Sequence, residues 1–387
     1  MFKTSNRTLP YGLFFELFRF LKLQGLSKQL VIDDSIKNIF KATDNIDIKY
    51  DLKYEPFYYQ DETIKDAIQK TRGLYQLPTS SGKSLIISYI INNLYNNKIT
   101  KSNLIIVPTL SLIEQFRSDL IDYGIDESII GRVNKDHKQF DAPIVISTWQ
   151  SLKNNIEKLD RFDLAICDEV HLGKASSINK IMQKCSQHAK YVLGFTGTMP
   201  SKPLEKLKVQ NYIGPVWKTY SSKKLSDEGY LSKCNIRQIK LKYLDSYTGD
   251  YNSIKRDIVQ NDYRLKVIKS IANKMNFLLI LVERVKDEGE VITEYLKEHI
   301  KDKEIIFLSG RDKALIREVW RKNMESNGNL IIIATYGIFS TGVNIKSLKN
   351  VLLIASSKSK IRILQSIGRS LRKHDNKKDE GATIWDL

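Results

Sequence analysis

Short runs of Leu, Ile and Val recur along the chain and alternate with segments of helical periodicity. A first series lies at residues 104–107, 144–147, 164–167 and 192–195, and a second at residues 278–282, 305–308, 330–334 and 351–355. Runs that are apolar at every position are typical of strands buried on both faces of a parallel sheet. Their alternation with helices predicts doubly wound α/β domains.

The length of 387 residues is too great for one ordinary core and suits two such domains with an appendage. We expect an N-terminal accessory segment over residues 1–50, a first α/β domain over 51–220 and a second over 221–387. Residues 201–242 separate the two series and hold ten Lys or Arg against three Asp or Glu. This stretch is therefore predicted to be a basic connection between the domains.

The chain is strongly basic, with 62 Lys and Arg against 44 Asp and Glu, a net charge of +18. Such a surplus favours a polyanionic partner, although a generally Lys-rich surface gives the same count. The three cysteines form no CxxC pair, which indicates reduced thiols in a cytosolic protein. The apolar runs are too short to span a bilayer, and Glu16 and Arg19 interrupt the only N-terminal apolar stretch.

One segment has the pattern of a phosphate-binding loop. An apolar strand at residues 74–77 leads into Pro-Thr-Ser-Ser-Gly-Lys-Ser at residues 78–84, and an apolar helix follows. In this context the backbone N–H groups at the start of the helix can surround phosphate oxygens. The candidate ligands of the nucleotide are Thr79, Ser80, Ser81, Gly82, Lys83 and Ser84, with Lys83 on the phosphates and Ser84 on Mg²⁺. Leu77 stands where the motif usually has its first Gly.

A pair of acidic residues follows the strand at residues 164–167. Asp168 and Glu169 would lie at the carboxyl end of that strand, where α/β sheets bind ligands. Asp168 is a candidate Mg²⁺ ligand, and Glu169 is a candidate general base for phosphoryl transfer. An isolated Asp-Glu pair is usually a solvated turn, but a phosphate loop upstream makes a catalytic pair the better interpretation.

The order of these motifs resembles that of superfamily-two helicases from about residue 54 to the C-terminus. The phosphate loop and residues 168–171 resemble motifs I and II, and residues 196–198 resemble motif III. Residues 107–109 and 147–150 resemble motifs Ia and Ib. Further on, residues 333–345 resemble motif V and residues 365–372 motif VI. The resemblance implies two tandem RecA-like domains and a nucleic-acid-dependent ATPase that uses ATP and Mg²⁺.

The resemblance also implies roles for single residues. The residues that would couple hydrolysis to movement are His171, Thr196, Thr198 and Gln365. The residues that would contact nucleic acid are Pro108, Thr109, Thr148, Trp149, Thr335, Tyr336 and Gly337. Gly342 and Asn344 would contact the nucleotide, and Asn344 replaces the usual Asp, so it would bind a ribose hydroxyl without charge.

Two arginines of motif VI, Arg369 and Arg372, are three residues apart and so share one helix face. The guanidinium group stays charged and binds phosphate oxygens with two parallel N–H groups. The resemblance implies that both act as arginine fingers on the γ-phosphate, across the cleft between the domains.

Residues 54–60 resemble the stretch that binds adenine upstream of motif I. Gln60 is the candidate for a hydrogen bond to the base. An aromatic in this stretch could stack on adenine, but aromatics here are more often core residues. The sequence leaves Phe57, Tyr58 and Tyr59 open between these two roles.

A narrower resemblance is to the recombination and fork-remodelling helicases of T4-like phages. It rests on residues 78–84, 336–342, 365–374 and 383–387, while residues 9–13 resemble part of that family's small N-terminal DNA-binding domain. We therefore expect the chain to begin partway through that domain. The implied activity is ATP-driven unwinding or remodelling of forks, Holliday junctions and R-loops in the host cytoplasm, with DNA as the partner and RNA only in hybrids.

Three alternatives stay open at this stage. The chain could be the double-strand DNA translocase motor of a larger enzyme, an RNA helicase, or a catalytically inactive nucleic-acid clamp. The clamp is disfavoured because Lys83, Asp168, Glu169 and both arginines are intact. The sequence does not decide whether the substrate is DNA or RNA. It gives neither the polarity of movement nor the oligomeric state.

Overall fold

A computed structural model describes residues 9–34, 37, 46–171, 176–242, 249–310, 329–337, 348–354, 368 and 381–387. The chain divides into two units, Met1–Ser221 and Ser222–Leu387. Each unit is built on one sheet whose described neighbouring strands all pair in parallel. The α/β class predicted from the apolar runs is thereby confirmed.

Seven strands form the sheet of the first unit. They are β1 (Arg72–Gln76), β2 (Asn103–Val107), β3 (Ile130–Val133), β4 (Ile144–Thr148), β5 (Leu164–Cys167), β6 (Tyr191–Thr196) and β7 (Val216–Thr219). Their order across the sheet is β3-β4-β2-β5-β6-β1-β7. The central strands β2, β4, β5 and β6 are buried at every position, because helices cover both faces of the sheet.

The helices of the first unit follow or precede these strands in alternation. The α-helices that the structure describes in full are α1 (Phe14–Leu23), α2 (Tyr58–Lys70), α3 (Lys83–Asn96), α4 (Leu110–Tyr123), α5 (Trp149–Lys153), α6 (Ser176–His188) and α7 (Pro203–Gln210). Short 3₁₀ helices span Tyr11–Leu13, Ser27–Gln29, Glu127–Ile129 and Ile156–Arg161. Helix α3 is buried along most of its length, which explains its almost continuous apolar sequence.

Six strands in the described part of the second unit form its sheet. They are β8 (Cys234–Gln238), β9 (Phe277–Val282), β10 (Glu304–Leu308), β11 (Leu330–Thr335), β12 (Asn350–Leu353) and β13 (Ala382–Asp386), in the order β10-β11-β9-β12-β13-β8. The described α-helices are α8 (Ser222–Asp227), α9 (Tyr251–Gln260), α10 (Asp262–Lys274) and α11 (Val291–His299), with a π-helix at Val285–Glu290.

The basic stretch 201–242 is more than a connection. It contains α7 and strand β7, which pairs with β1, and strand β8, which pairs with β13. Each sheet therefore gains an edge strand from a region in which the sequence predicted none. Both strands are short and only partly covered, so they lack the apolar runs of the central strands.

The N-terminal segment rests on the first unit. The Gly12 amide donates to the carbonyl of Asn211 over 3.0 Å, and a Cβ at position 12 would lie 1.7 Å from the carbonyl oxygen of Gln210. The Phe15 ring meets the Trp217 ring edge-on at 5.2 Å. A DNA-binding role for residues 1–50 stays a prediction. None of the helices in the described ranges is long and apolar enough to cross a membrane.

Candidate active site

Three loops of the first unit meet at one edge of its sheet. Strand β6 lies between β1 and β5, and all three run parallel, so their carboxyl ends are neighbours. The loop after β1 carries the phosphate-loop sequence, and the loop after β5 carries Asp168 to His171. Thr196 ends β6, and the loop after it carries Gly197 and Thr198. Ligands of open α/β sheets bind at this edge.

The phosphate loop begins one residue later than the sequence motif suggests. The amide of Leu77 still donates to the carbonyl of Thr196 over 2.9 Å, so Leu77 continues the pairing of β1 with β6, and its side chain is buried. A core residue therefore suits the position that usually holds Gly. The left-handed backbone occurs later, at Ser80 (φ 70°) and Gly82 (φ 77°).

Gln60 lies directly against this loop. Its Nε2 donates to the carbonyl of Ser81 over 2.9 Å, and its Oε1 accepts from the amide of Phe57 over 2.8 Å. The Tyr59 hydroxyl donates to the same Ser81 carbonyl over 3.0 Å, and the Tyr59 ring is buried. Tyr59 is thus a core residue, whereas Phe57 and Tyr54 are 49% and 44% exposed and have open ring surface.

Lys83, the first residue of α3, lies close to Glu169 in the loop after β5. Its Nζ lies 3.8 Å from Glu169 Oε1 and donates to the carbonyl of Pro78 over 3.4 Å. Lys83 and Glu169 come from loops after two different strands, and they meet only because those strands share an edge. The sequence-predicted cation and base are therefore brought together.

The two acidic residues have opposite electrostatic settings. Burial and the neighbouring charge of Glu169 raise the pKa of Asp168 above its ordinary value, and Lys83 offsets this only in part. Burial also raises the pKa of Glu169, but Lys83, His171 and the Gly197 amide outweigh burial and hold that pKa below its ordinary value. Glu169 is therefore ionised at neutral pH and available as a proton acceptor.

Backbone geometry also distinguishes this acidic pair. The Asp168 amide donates to the carbonyl of Ile106 over 2.9 Å, which extends the pairing of β5 with β2 by one residue. Glu169 then adopts a positive φ of 50°, a conformation that costs energy for a residue with a side chain. The reversal brings Glu169 towards both Lys83 and His171.

His171 connects the acidic motif to the loop after β6. Its Nδ1 lies 2.9 Å from Thr196 Oγ1 and 3.2 Å from Glu169 Oε2, and both its ring and Thr196 are buried. Thr196 Oγ1 in turn donates to the carbonyl of Thr198 over 2.9 Å and accepts from the Thr198 amide over 3.2 Å. The three residues predicted to couple hydrolysis to movement in this unit form one hydrogen-bonded chain.

Ser84 has a partner that sequence reasoning missed. Its Oγ lies 2.9 Å from the hydroxyl of Tyr123, the last residue of α4. Thirty-nine residues separate the two positions along the chain, and no motif includes Tyr123. Only the packing of α3 against α4 brings the two side chains together.

The predicted nucleic-acid residues of the first unit follow β2 and β4, which are paired neighbours. Pro108 and Thr109 are half-buried, and the Thr109 hydroxyl contacts Ser111 over 3.0 Å. Thr148 is buried, and its Oγ1 accepts from the Ser151 amide over 3.3 Å, so this hydroxyl caps α5. Trp149 is half-buried and packs against the core. The two loops share an edge, and their nucleic-acid contacts stay a prediction.

The second unit shows fewer of its predicted site residues. Thr335 ends β11, Gly337 is exposed, and the Tyr336 ring is buried in the core with 2% exposure. A role of Tyr336 on nucleic acid would therefore have to come from its backbone. Gly342, Asn344, Gln365, Arg369 and Arg372 lie outside the described residues.

Two sequence comparisons with known proteins identify relatives of this chain. The sequence model of the family described as type III restriction enzyme, res subunit, matches residues 53–201. The chain is 31% identical to the ATP-dependent DNA helicase uvsW of Enterobacteria phage T4, and the match covers 99% of this chain and 79% of that helicase.

Two solved structures share the fold. A putative HsdR subunit of a type I restriction enzyme from Vibrio vulnificus has a TM-score of 0.65 at 18% identity and covers 96% of this chain and 68% of that one. Dbp5 of S. cerevisiae, bound to RNA and ADP BeF3, has a TM-score of 0.64 at 12% identity and covers 93% of this chain and 88% of that one. With the motifs in place, the chain belongs to the family of the phage T4 helicase uvsW and is a superfamily-two helicase with tandem RecA-like domains.

Proposed function

We propose that the protein hydrolyses ATP with Mg²⁺ to unwind or remodel branched DNA, including forks, four-way junctions and R-loops. The observation that carries the proposal is the meeting of Lys83, Glu169 and His171 at the edge of the first sheet. These groups supply the cation, the base and the link to Thr196 that an ATP-driven motor needs.

Phosphate binding would fall to the loop after β1. Its backbone turns through left-handed conformations at Ser80 and Gly82, and α3 begins immediately afterwards, so amide groups at the helix start can face an anion. A side chain at position 82 would place its Cβ 2.4 Å from Gln60 Nε2, so glycine keeps the loop and Gln60 in contact. Lys83 would leave the carbonyl of Pro78 and bind the β- and γ-phosphates.

Ser84 and Asp168 would hold Mg²⁺. The Oδ1 atom of Asp168 is buried and has no hydrogen-bond partner among the described residues, which fits an oxygen ligand awaiting a cation. The described part of the chain has no group of three or more His, Cys, Asp or Glu able to hold a metal by itself. This suits Mg²⁺, which takes ligands from phosphates and water and would neutralise phosphate charge.

Glu169 would accept the proton of the attacking water. Its lowered pKa keeps it ionised, and its Oε1 lies within 3.8 Å of Lys83, the residue assigned to the phosphates. His171 would pass the change at Glu169 to Thr196 and Thr198. Gln60 is buried and its amide bonds Ser81 and Phe57, so it would bind the adenine edge only after giving up one of these contacts. The exposed ring of Phe57 is the better candidate for stacking on the base.

DNA would lie over the loops after β2 and β4, where Pro108, Thr109 and Trp149 sit at the sheet edge. The net charge of +18 supports binding to a polyanion. Assignment to DNA rests on the relative uvsW, which is named a DNA helicase. The RNA-bound neighbour Dbp5 shares only the fold and does not favour RNA as the substrate here.

Strand separation on a panel of substrates tests the proposal. Labelled forked DNA, four-way junctions, linear duplexes, triplex DNA, R-loops and RNA duplexes are incubated with protein and Mg²⁺-ATP. We expect product from branched DNA and from R-loops, and none when ATP is replaced by a non-hydrolysable analogue. The Lys83→Ala protein serves as the matched inactive control.

Two results would overturn the assignment in different ways. Displacement of a triplex strand without separation of any duplex would identify a double-strand DNA translocase. Separation of RNA duplexes in preference to DNA would identify an RNA helicase.

A further inference from the structure

Tyr123 contacts Ser84, one of the two residues proposed as Mg²⁺ ligands. Its hydroxyl lies 2.9 Å from Ser84 Oγ, within hydrogen-bond distance. Ser84 lies in the first turn of α3, beside Lys83, whereas Tyr123 ends α4. The contact therefore joins the phosphate loop to a helix that carries none of the helicase motif residues at this end.

The position of Tyr123 is fixed by several neighbours. Its carbonyl accepts from the Lys53 amide over 3.0 Å, and its ring meets the Tyr54 ring edge-on at 5.8 Å and 89°. The chain turns away immediately afterwards, because Gly124 adopts a left-handed conformation with φ 105°. Asp122 also holds this region, since it accepts from Lys53 Nζ over 2.6 Å and from the Tyr54 hydroxyl over 3.2 Å.

The same neighbours belong to the adenine-side segment. Tyr54 begins the stretch that ends at Gln60, and its carbonyl accepts from the Tyr89 hydroxyl of α3 over 3.0 Å. Tyr123 thus sits between the segment assigned to the base and the serine assigned to the cation. Its ring and backbone are held by Tyr54 and Lys53, and its hydroxyl contacts Ser84.

A serine that binds a cation must offer a lone pair to the metal and point its O–H group at another acceptor. The Tyr123 oxygen is within reach to accept that hydrogen bond. Resting on the proposed Mg²⁺-ATP site, we propose that Tyr123 is a positioning residue: it accepts a hydrogen bond from the Ser84 hydroxyl and so keeps the Ser84 lone pairs free for the cation. If Tyr123 instead donated to Ser84, it would occupy a lone pair and weaken the site.

Nucleotide binding tests this proposal without turnover. A fluorescent ADP analogue is titrated with Mg²⁺ onto wild-type protein, Tyr123→Phe and the control Tyr95→Phe, which removes a phenolic hydroxyl at the far end of α3. For Tyr123→Phe we expect the Mg²⁺ concentration at half-saturation to rise roughly 3- to 10-fold, the size of one lost hydrogen bond. Nucleotide affinity in EDTA should be unchanged, and Tyr95→Phe should match the wild type. Thermal melting confirms that each variant is folded.

A double-mutant cycle tests whether Tyr123 acts on Mg²⁺ binding through Ser84. The effect of Tyr123→Phe should vanish in the Ser84→Ala background, because the hydroxyl on which Tyr123 acts is gone. An unchanged or tighter Mg²⁺ response in Tyr123→Phe would overturn the proposal, as would an effect that persists without Ser84. Failure of the wild type to bind nucleotide in a Mg²⁺-dependent manner would instead remove the proposed function itself, and this inference with it.

Discussion

The Nδ1 atom of His171 lies 2.9 Å from the Oγ1 atom of Thr196. Thr196 Oγ1 donates a hydrogen bond to the carbonyl of Thr198, which leaves the hydroxyl oxygen as an acceptor for an N–H group at His171 Nδ1. The same nitrogen is 3.2 Å from Glu169 Oε2. Glu169 and Thr196 thus contact the same ring nitrogen, and we expect a change in the charge or position of Glu169 to reach the loop after β6 through it.

Replacing Thr196 by Val should break this link while keeping the shape of the buried side chain. The variant loses the hydrogen bonds to His171 and Thr198, and we expect a stability loss of about 1–3 kcal/mol. ATP affinity should change little, because Thr196 has no predicted contact with the nucleotide. Strands separated per ATP hydrolysed should fall several-fold, as measured by parallel unwinding and hydrolysis assays.

Thr198→Val is the matched control, because Thr198 takes part in the link through its backbone only among the described contacts. It should keep most of the coupling. If Thr196→Val separates as many strands per ATP as the wild type, the chain from His171 to Thr198 is structural and does not couple hydrolysis to movement.

The acidic pair should divide its roles under matched amide substitutions. Glu169→Gln removes the base but leaves the Mg²⁺ ligand, so we expect nucleotide binding to persist while hydrolysis falls about 10²- to 10⁴-fold. Asp168→Asn removes the buried oxygen charge proposed for the cation and should weaken Mg²⁺-dependent nucleotide binding. Equilibrium binding and single-turnover hydrolysis of both variants give the comparison. Loss of nucleotide binding in Glu169→Gln would show that the two roles are reversed or shared.

Arg369 should act on the transition state of hydrolysis, as its resemblance to motif VI implies. We expect Arg369→Ala to lose about 10³-fold or more in single-turnover hydrolysis, with a smaller loss of ATP affinity. Arg369→Lys should recover only part of the rate, because an ammonium group cannot make two parallel hydrogen bonds to phosphate. A near wild-type rate for Arg369→Ala would transfer the role to Arg372.

Binding to DNA should depend steeply on salt. Lys and Arg contacts to phosphates release counterions, so affinity for duplex DNA should fall at least about 100-fold between about 50 mM and about 200 mM salt. Sequence should matter little, because a motor steps along any base sequence. Fluorescence anisotropy over a salt series measures both. A flat response would mean that the net charge of +18 is a general surface property.

The sequence predicted the central strands of both sheets because burial on two faces leaves continuous apolar runs. It missed β3, β7 and β8, and all three are edge strands. An edge strand is covered less completely, so Arg132 in β3 and an Ile236 with 64% exposure in β8 are tolerated. Apolar runs therefore marked the well-covered strands and also the edge strand β10, whose residues 305–308 are all apolar, whereas edge strands with polar or exposed positions gave no such run.

Some residues of the candidate site could likewise be predicted from the sequence, and others could not. Lys83, Asp168 and Glu169 could be predicted because they open a helix or follow a buried strand, and such positions meet at one sheet edge, whereas the role of His171 came only from the resemblance to motif II. Tyr123 could not, because its contact with Ser84 depends on the angle and separation of α3 and α4. Local sequence carries no information on that packing. The buried state of Thr148 and Tyr336 likewise follows from tertiary packing alone.

The rate of ATP hydrolysis with and without nucleic acid tests the central claim most directly. Wild-type protein and Lys83→Ala are compared without nucleic acid and then with RNA and with single-stranded, duplex, forked and four-way DNA. Lys101→Ala, which removes an exposed lysine, serves as the control. The account predicts slow hydrolysis by the wild type alone, strong stimulation by branched DNA, the same behaviour in Lys101→Ala and no detectable turnover in Lys83→Ala. Hydrolysis by Lys83→Ala at the wild-type rate, or a wild-type rate indifferent to every nucleic acid, would contradict it.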